Sequence, residues 1–174
     1  MEIQPSIARY AAIISKVLKV EVEIVDSDLY RVAGTGKFKN LINKSMKQEG
    51  YVYGNVLLTG EPQIIDRPGE CSICKLCPKN AGCDEEFEMS TPIKLGGEVI
   101  GVIGLICFDQ SQKDHILNEY ETYMEFLQQI SGFISIAAYE KREKQRNDNL
   151  LKSLNLVIDR MDRGVLILNS SRMV

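Results

Sequence analysis

The stretch from Phe87 to Phe108 leaves this chain the least freedom. Phe87 to Leu95 alternates between apolar and polar residues, and Gly96-Gly97 supplies the pair that a two-residue hairpin turn demands. Glu98-Val-Ile-Gly-Val-Ile-Gly-Leu-Ile-Cys107-Phe108 is then almost wholly apolar. Such a run is stable as a strand when both its faces are covered, so it predicts the central strand of a sheet. Pro92 cannot donate to a ladder and marks an edge or a bulge, while Gly101 and Gly104 predict close approach of another element. Cys107, inside the run, reads first as a buried structural thiol and second as a pocket or ligand residue.

The remaining elements arrange themselves around that hairpin. Ile7, Tyr10, Ala11, Ile14, Val17 and Leu18 recur at helical spacing and predict an amphipathic helix over 5–19. Val20, Val22 and Ile24 alternate with Glu21 and Glu23, a half-buried strand that turns at Asp26-Ser27-Asp28 into a second one, Leu29 to Ala33. Gly34-Thr35-Gly36 lacks the other positions of a nucleotide motif and reads as a turn with positive φ. Phe38, Leu41, Ile42 and Met46 predict a surface helix over 37–49, and residues 51–60 a short helix closed by Gly60. Tyr51 and Tyr53 are candidates for a small-molecule pocket, with plain core packing as the alternative. A brief strand over 63–66 follows. From Ser111 one long helical signal begins, with Ile116, Tyr120, Tyr123, Leu127, Ile130 and Ile134 on its stripe. His115, in its first turn, reads as a surface residue. Beyond Tyr139 the sequence is charge-rich, then Leu150, Leu151, Leu154, Val157, Ile158 and Met161 resume the same steps. That is a heptad-like connector able to pair with a copy of itself.

Four of the five cysteines fall between Pro68-Gly69 and Asp84-Glu85-Glu86, at Cys71, Cys74, Cys77 and Cys83. Gly, Pro and Asn punctuate the stretch, so it is an irregular loop. Crowded thiolates repel one another and need a metal or oxidation to relieve the repulsion. Zinc sites usually use two separated C-x2-C pairs. The continuous C-x2-C-x2-C run followed by x5-C is closer to the way a chain wraps a [4Fe-4S] cluster, although Pro78 follows the third cysteine rather than the fourth. Zinc on the same four residues is the alternative. Disulfides are not expected without a secretory context. A thiol–disulfide enzyme working through Cys74 and Cys77 would want a helix start at Cys74, which Pro78 and Gly82 argue against.

At 174 residues the chain has room for one ordinary domain and part of another. A net charge of −3 gives no electrostatic footprint for nucleic acid. No apolar run is long enough to span a bilayer, and Met1-Glu-Ile-Gln-Pro5 has no basic segment leading into an apolar one, so a cytoplasmic location with no membrane partner is expected.

The order helix, hairpin, helices, loop, antiparallel core hairpin and long helix is similar to that of a GAF domain. Arg31-Val-Ala-Gly-Thr-Gly36, Val52-Tyr-Gly-Asn-Val-Leu-Leu-Thr-Gly60, Pro68-Gly69 with its cysteines, and Pro92 to Phe108 resemble the N-terminal sensory region of sigma-54-dependent transcriptional activators from anaerobic bacteria. Leu154 to Asn169 resembles a signalling helix entering the first strand of a PAS domain. The resemblance implies an α+β, GAF-like antiparallel sheet flanked by helices over 1–140, with the cysteine loop at 66–86. It implies a helical connector over 141–161 and the opening of a PAS domain over 162–174. It further implies a non-enzymatic sensor that forms a homodimer through its C-terminal helix. The AAA+ ATPase and DNA-binding domains of that family are absent from this chain, as no G-x-x-x-x-G-K-[ST] occurs.

Overall fold

The computed structural model of the chain describes residues 4–160. By its internal contacts the chain divides into two units, Met1–Ala138 and Tyr139–Val174. The first holds α1 (Gln4–Leu18), β1 (Glu21–Asp26), β2 (Arg31–Gly34), α2 (Tyr51–Thr59), β3 (Gln63–Ile65), β4 (Phe87–Leu95), β5 (Glu98–Cys107) and α3 (Gln110–Asn118). It also holds the first half of α4 (Tyr120–Asp159). The five strands form one antiparallel sheet in the order β2-β1-β5-β4-β3, flanked by helices: an α+β architecture.

β5 is central, as its apolar run predicts, and side-chain alternation along it separates two faces. Ile103, Leu105 and Cys107 join Val22 and Ile24 of β1 and Phe87, Met89 and Ile93 of β4 in the main core. Ile7, Ala11, Ile14 and Leu18 of α1, Ile116 of α3, and Leu127 and Ile134 of α4 cover that face. On the other face Val25 and Val102 pack with Tyr53 and Val56 of α2 and with Met46. Each large apolar side chain so buried contributes on the order of 1.5–3 kcal/mol.

The β4–β5 hairpin turns at Gly96 and Gly97, whose φ angles of 59° and 92° suit a turn that only small residues enter cheaply. Pro92 lies beyond the reach of β3, which pairs with residues 88–90, and next to a register shift at Ile93/Lys94. A Cβ added at Gly101 would meet the Val25 carbonyl oxygen at 2.4 Å, and one at Gly104 the Tyr53 hydroxyl at 2.1 Å. Both glycines therefore admit a close neighbour, one the β1 backbone and the other a side chain of α2.

Two helical expectations fail. Residues 37–49 form a short 3₁₀ segment, Gly36–Leu41, and then turns at 42–43 and 47–49 around an isolated bridge from Ser45 to Tyr30, rather than a helix. The open edge of β2 takes them: the Arg31 N–H donates to the Lys44 carbonyl, the Asn43 N–H to the Arg31 carbonyl, and the Met46 N–H to the Leu29 carbonyl. Those edge groups require partners, and Asn43 enters the left-handed region at φ 67° to supply them. Phe38 and Met46 are buried as the spacing implies, but on a different backbone. The long helical signal from Ser111 is two helices. Asp109 caps α3 by accepting from the Gln112 N–H at 2.9 Å, and the backbone leaves helical geometry at Glu119. His115 is thus in the last turn of α3, exposed, with its Nε2 3.1 Å from the Tyr123 hydroxyl.

The second unit contains the remainder of α4, whose Leu150, Leu151, Leu154, Leu156 and Val157 are exposed. The expected PAS opening at 162–174 lies outside the described residues. Among the described residues no helix is long and apolar enough to cross a membrane.

Gly104→Ala should destabilise the protein by about 1–3 kcal/mol, the usual cost of overpacking. The cost should shrink in a Tyr53→Phe background, where the atom nearest the new methyl is gone. Urea unfolding of the two singles and the double mutant reads this coupling. Strict additivity would show that Tyr53 does not rest on Gly104.

Candidate functional site

The face of the sheet opposite α1, α3 and α4 is where the polar residues of β1 and β4 meet. Register places Glu23 of β1, Gly104 of β5 and Ser90 of β4 in one row, with Glu88 one step along beside Ile106. α2 and the cysteine loop close over this surface. Between them lies a cavity of about 220 Å³ lined by Glu23, Arg31, Phe38, Tyr51, Glu88 and Phe108 from the body, and by Cys74, Cys77 and Cys83 from the loop. A smaller chamber of about 60 Å³ adjoins it, bounded by Tyr53, Glu23, Glu49, Glu85 and Glu88.

Charge organises this interior. Arg31, 4% exposed, donates through Nε to Glu23 and through Nη2 to Glu49. Lys79 of the loop pairs with the second oxygen of Glu49, and the Cys77 thiol lies 3.8 Å from the Glu49 carbonyl oxygen. Lys37 pairs with Asp84 at 2.5 Å while its ammonium lies 3.7 Å over the Phe108 ring. Burial pushes the Glu23 carboxyl up by more than Arg31 pulls it down. Burial would raise Glu49 too, but hydrogen bonds from Lys79 and Arg31 outweigh it and hold that carboxyl low. Glu85 is pushed up to about 7 by burial and then by the charges of Glu23, Asp84 and Glu49. Glu88 is held well above the ordinary range by burial first and by Glu85 and Glu23 next. Among the described residues Glu88 Oε1, the Tyr53 hydroxyl and Ser90 Oγ are buried with no hydrogen-bond partner. Leaving such groups unpaired costs about 1–3 kcal/mol each.

The cysteine loop carries only two single 3₁₀ turns, Cys74–Leu76 and Asn80–Gly82. Where no disulfide was expected, Cys71 and Cys74 are joined in one, while Cys77 and Cys83 are free and half-buried. Cys74 packs with Val52 and Ile65 in a small core of its own, against which Cys71 and Ile73 lean. Burial pushes the Cys83 thiol up, away from the thiolate a nucleophile needs. Cys71 and Cys74 being bonded to each other, four free thiols are not assembled in this structure, and among the described residues no three Cys, His, Asp or Glu side chains converge as a metal set. Only the reduced loop supplies the donor chemistry of a [4Fe-4S] cluster or zinc.

The other pocket candidates divide. Tyr51 lines the cavity and Tyr53 is buried in the chamber beside it. Cys107 is not a pocket residue. Alternation along β5 turns it to the helix-covered face, where it is fully buried in the main core and its thiol is pushed up to about 12. That position also removes it as a fourth ligand. Glu23, Arg31, Glu49, Glu85 and Glu88 went unrecognised in the sequence, because Glu23 reads as the solvent side of an alternating strand. The signal available was Arg31 across the β1–β2 hairpin from Glu23.

A carboxyl raised on folding stabilises the protein fully below its ordinary value of 4.5 and loses that contribution as pH rises through its folded value. Glu49, held low, acts oppositely and is lost only on acidification below 4.5. Stability of the ligand-free chain should therefore fall as pH rises above about 4.5, and Glu88→Gln should flatten that slope. Urea midpoints across the range check it. An unchanged slope in the variant would show that Glu88 ionises as it does in water.

The GAF domain family model matches residues 18–137. Over all 174 residues the chain is 31% identical to a protein of Escherichia coli K12 named as a uric acid sigma-54-dependent transcriptional regulator, UacR, and it spans 29% of that relative's length. Among solved structures it is similar to the nlh2 GAF domain of A. aeolicus in an inactive state, with TM-score 0.59 and 18% identity over 79% of this chain and 85% of that one. It is also similar to a type II free methionine-R-sulfoxide reductase of Thermoplasma acidophilum, with TM-score 0.56 and 12% identity over 79% and 92%. At those identities the two structures speak for the fold, while the family model covers most of the described sheet and helices. The chain belongs to the GAF domain family.

Proposed function

We propose that this chain is the sensory module of a sigma-54-dependent transcriptional regulator, and that it takes a small molecule in the cavity between its sheet and the cysteine loop. The observation behind this reading is the cavity itself, a partly open cleft lined by the buried Glu23, Arg31 and Glu88 and by three aromatic rings. Uric acid, the compound in the E. coli relative's name, is a planar ring system rich in N–H groups, and we take a compound of that kind as the signal. The loop is the responsive part. It is tied to the body by a few side chains, and occupancy of the cavity changes what Cys74, Cys77, Lys79 and Cys83 rest against. The exposed apolar side chains of α4 between Leu150 and Ile158 support a homodimer through that helix. The ATPase and DNA-binding steps belong to further domains of the whole regulator.

A second reading rests on Cys74, Cys77 and Cys83 lining one cavity. Reduction of the Cys71–Cys74 bond by a dithiol, with two electrons and two protons, leaves four thiols on one loop. Those four residues would hold a [4Fe-4S] cluster, with structural zinc as the alternative. Such a group would supply a redox- or oxygen-sensitive fastening for the loop.

In the whole regulator, adding uric acid should change transcription from a sigma-54-dependent reporter at least several-fold. An unresponsive reporter in cells that take up the compound would remove uric acid as the signal. Separately, chain purified without oxygen under dithiol should carry iron and acid-labile sulfide in equal amounts, lost in Cys77→Ser. Zinc in their place selects the alternative, and reduced chain free of either metal ends the metal reading.

A further inference from the structure

We infer that the floor of the cavity reads the N–H groups of its ligand, and that Glu88, which lines both the cavity and the chamber beside it, is the specificity-determining group. The inference rests on the cavity being the sensory site and adds the chemistry that the site accepts. Glu88 is 7% exposed, Ser90 fully buried and Tyr53 3% exposed, and each keeps one polar atom without a partner among the described residues. They belong together. Ser90 pairs with Gly104 across the ladder, Glu88 precedes it on the same face, and the Tyr53 hydroxyl occupies the space that Gly104 leaves free. Of the three, Glu88 is the one that lines the cavity, Tyr53 bounds the adjoining chamber next to Glu23, and Ser90 lines neither, so the unpaired Glu88 oxygen is the group a ligand's polar edge would meet.

What that edge must be follows from what is already committed. Arg31 is held by Glu23 and Glu49, Lys79 by Glu49 and Lys37 by Asp84. No cation lining the cavity is left, among the described residues, to receive a carboxylate or phosphate. The capacity that remains on the cavity wall is the Glu88 carboxyl, which accepts through its unpaired oxygen and, while protonated, also donates. A carboxylate or phosphate would add a concentrated charge beside Glu85 and Glu88 with no free cation to balance it. A planar ring carrying adjacent N–H donors satisfies Glu88 and leaves its faces to Phe38, Phe108 and Tyr51, whether it is neutral, cationic or, like urate, an anion whose charge is spread over the ring system. At about 220 Å³ the cavity is below the range of drug-sized sites, so one or two fused rings are the scale.

Isothermal titration of the reduced chain with three probes tests this: xanthine, neutral with N–H and carbonyl groups; benzamidine, a planar cation with N–H groups; and benzoate, a planar anion with none. Xanthine or benzamidine should bind and benzoate should not; which of the two binds tells a neutral ring from a cationic one. Glu88→Met, close in volume and apolar, should weaken the bound probe at least tenfold while raising the urea midpoint of the ligand-free chain, because the unpaired carboxyl is gone. A merely structural Glu88 predicts a lower midpoint instead. Binding by benzoate, binding by neither N–H probe, unchanged affinity in Glu88→Met, or its failure to fold each overturns the inference. Glu88→Gln, which keeps the shape, also weakens binding, and full affinity in that variant counts against the inference as well. The reporter response of the whole regulator is measured independently, so a wrong ligand chemistry and a wrong regulatory assignment give different failures.

Discussion

Coverage of β5 on both faces is the constraint on which the rest depends. On the helix side it is met mainly by apolar residues, with Thr91, Ser131 and Ser135 the buried polar ones. On the other side β1 and β4 bring Glu23, Glu88 and Ser90 under α2 and the loop, where water does not reach them freely. Charges can stay there only if paired, and Arg31 does the pairing. Through its two donors it joins Glu23 on the sheet to Glu49 ahead of α2, and Glu49 in turn holds Lys79 of the loop. One chain of ionic contacts thus runs from the floor of the cavity to its movable wall. Removing one member of such a buried pair typically costs about 3–5 kcal/mol, because the partner is left charged and unpaired.

The loop itself is weakly built. Its apolar anchorage is the small cluster of Cys74 with Val52 and Ile65, and its regular structure is two single turns. Lys113 adds a tether at the entrance, donating to the Asp66 carbonyl at 2.5 Å and reaching its carboxylate at 3.0 Å. Segments with so few buried contacts open at low free-energy cost, the property a responsive wall requires. Disulfide closure or metal binding at the cysteines would change that cost more than any single surface contact does.

The sheet was legible in the sequence because its signals are local. The Gly96-Gly97 turn, the apolar run of β5 and the alternation of β1 each specify a strand without reference to the rest of the chain. Residues 37–49 were not legible: their helical spacing is real, but the unpaired edge of β2 captured the backbone, and an edge is visible only once the sheet is assembled. The break at Glu119 was hidden by a stripe continuous through both helices. Of the site, the cysteine loop and the two tyrosines stood out by residue type. The acidic floor did not, since a glutamate on an alternating strand looks the same whether water or α2 lies above it. Cys107 was misplaced as a pocket candidate for a related reason: only alternation counted against an assembled sheet tells which face it takes.

The end of β5 shows how the two faces communicate. Cys107 is locked in the helix-side core, while its neighbour Phe108 forms part of the cavity wall, 5.9 Å from the Phe38 ring. The Phe108 N–H donates to Gln112 Oε1 at 2.8 Å, and the amide nitrogen of the same Gln112 donates to the Lys19 carbonyl, at 2.9 Å, just beyond α1. Asp109, next in sequence, caps α3. On the proposed reading, a ligand that displaced Phe108 would pull on the start of α3 and the end of α1 through these hydrogen bonds, without deforming the packed core between them. Close-packed interiors resist continuous deformation, so a signal crossing this sheet passes more cheaply around its edge than through its middle. The Phe108–Gln112–Lys19 corner is that edge.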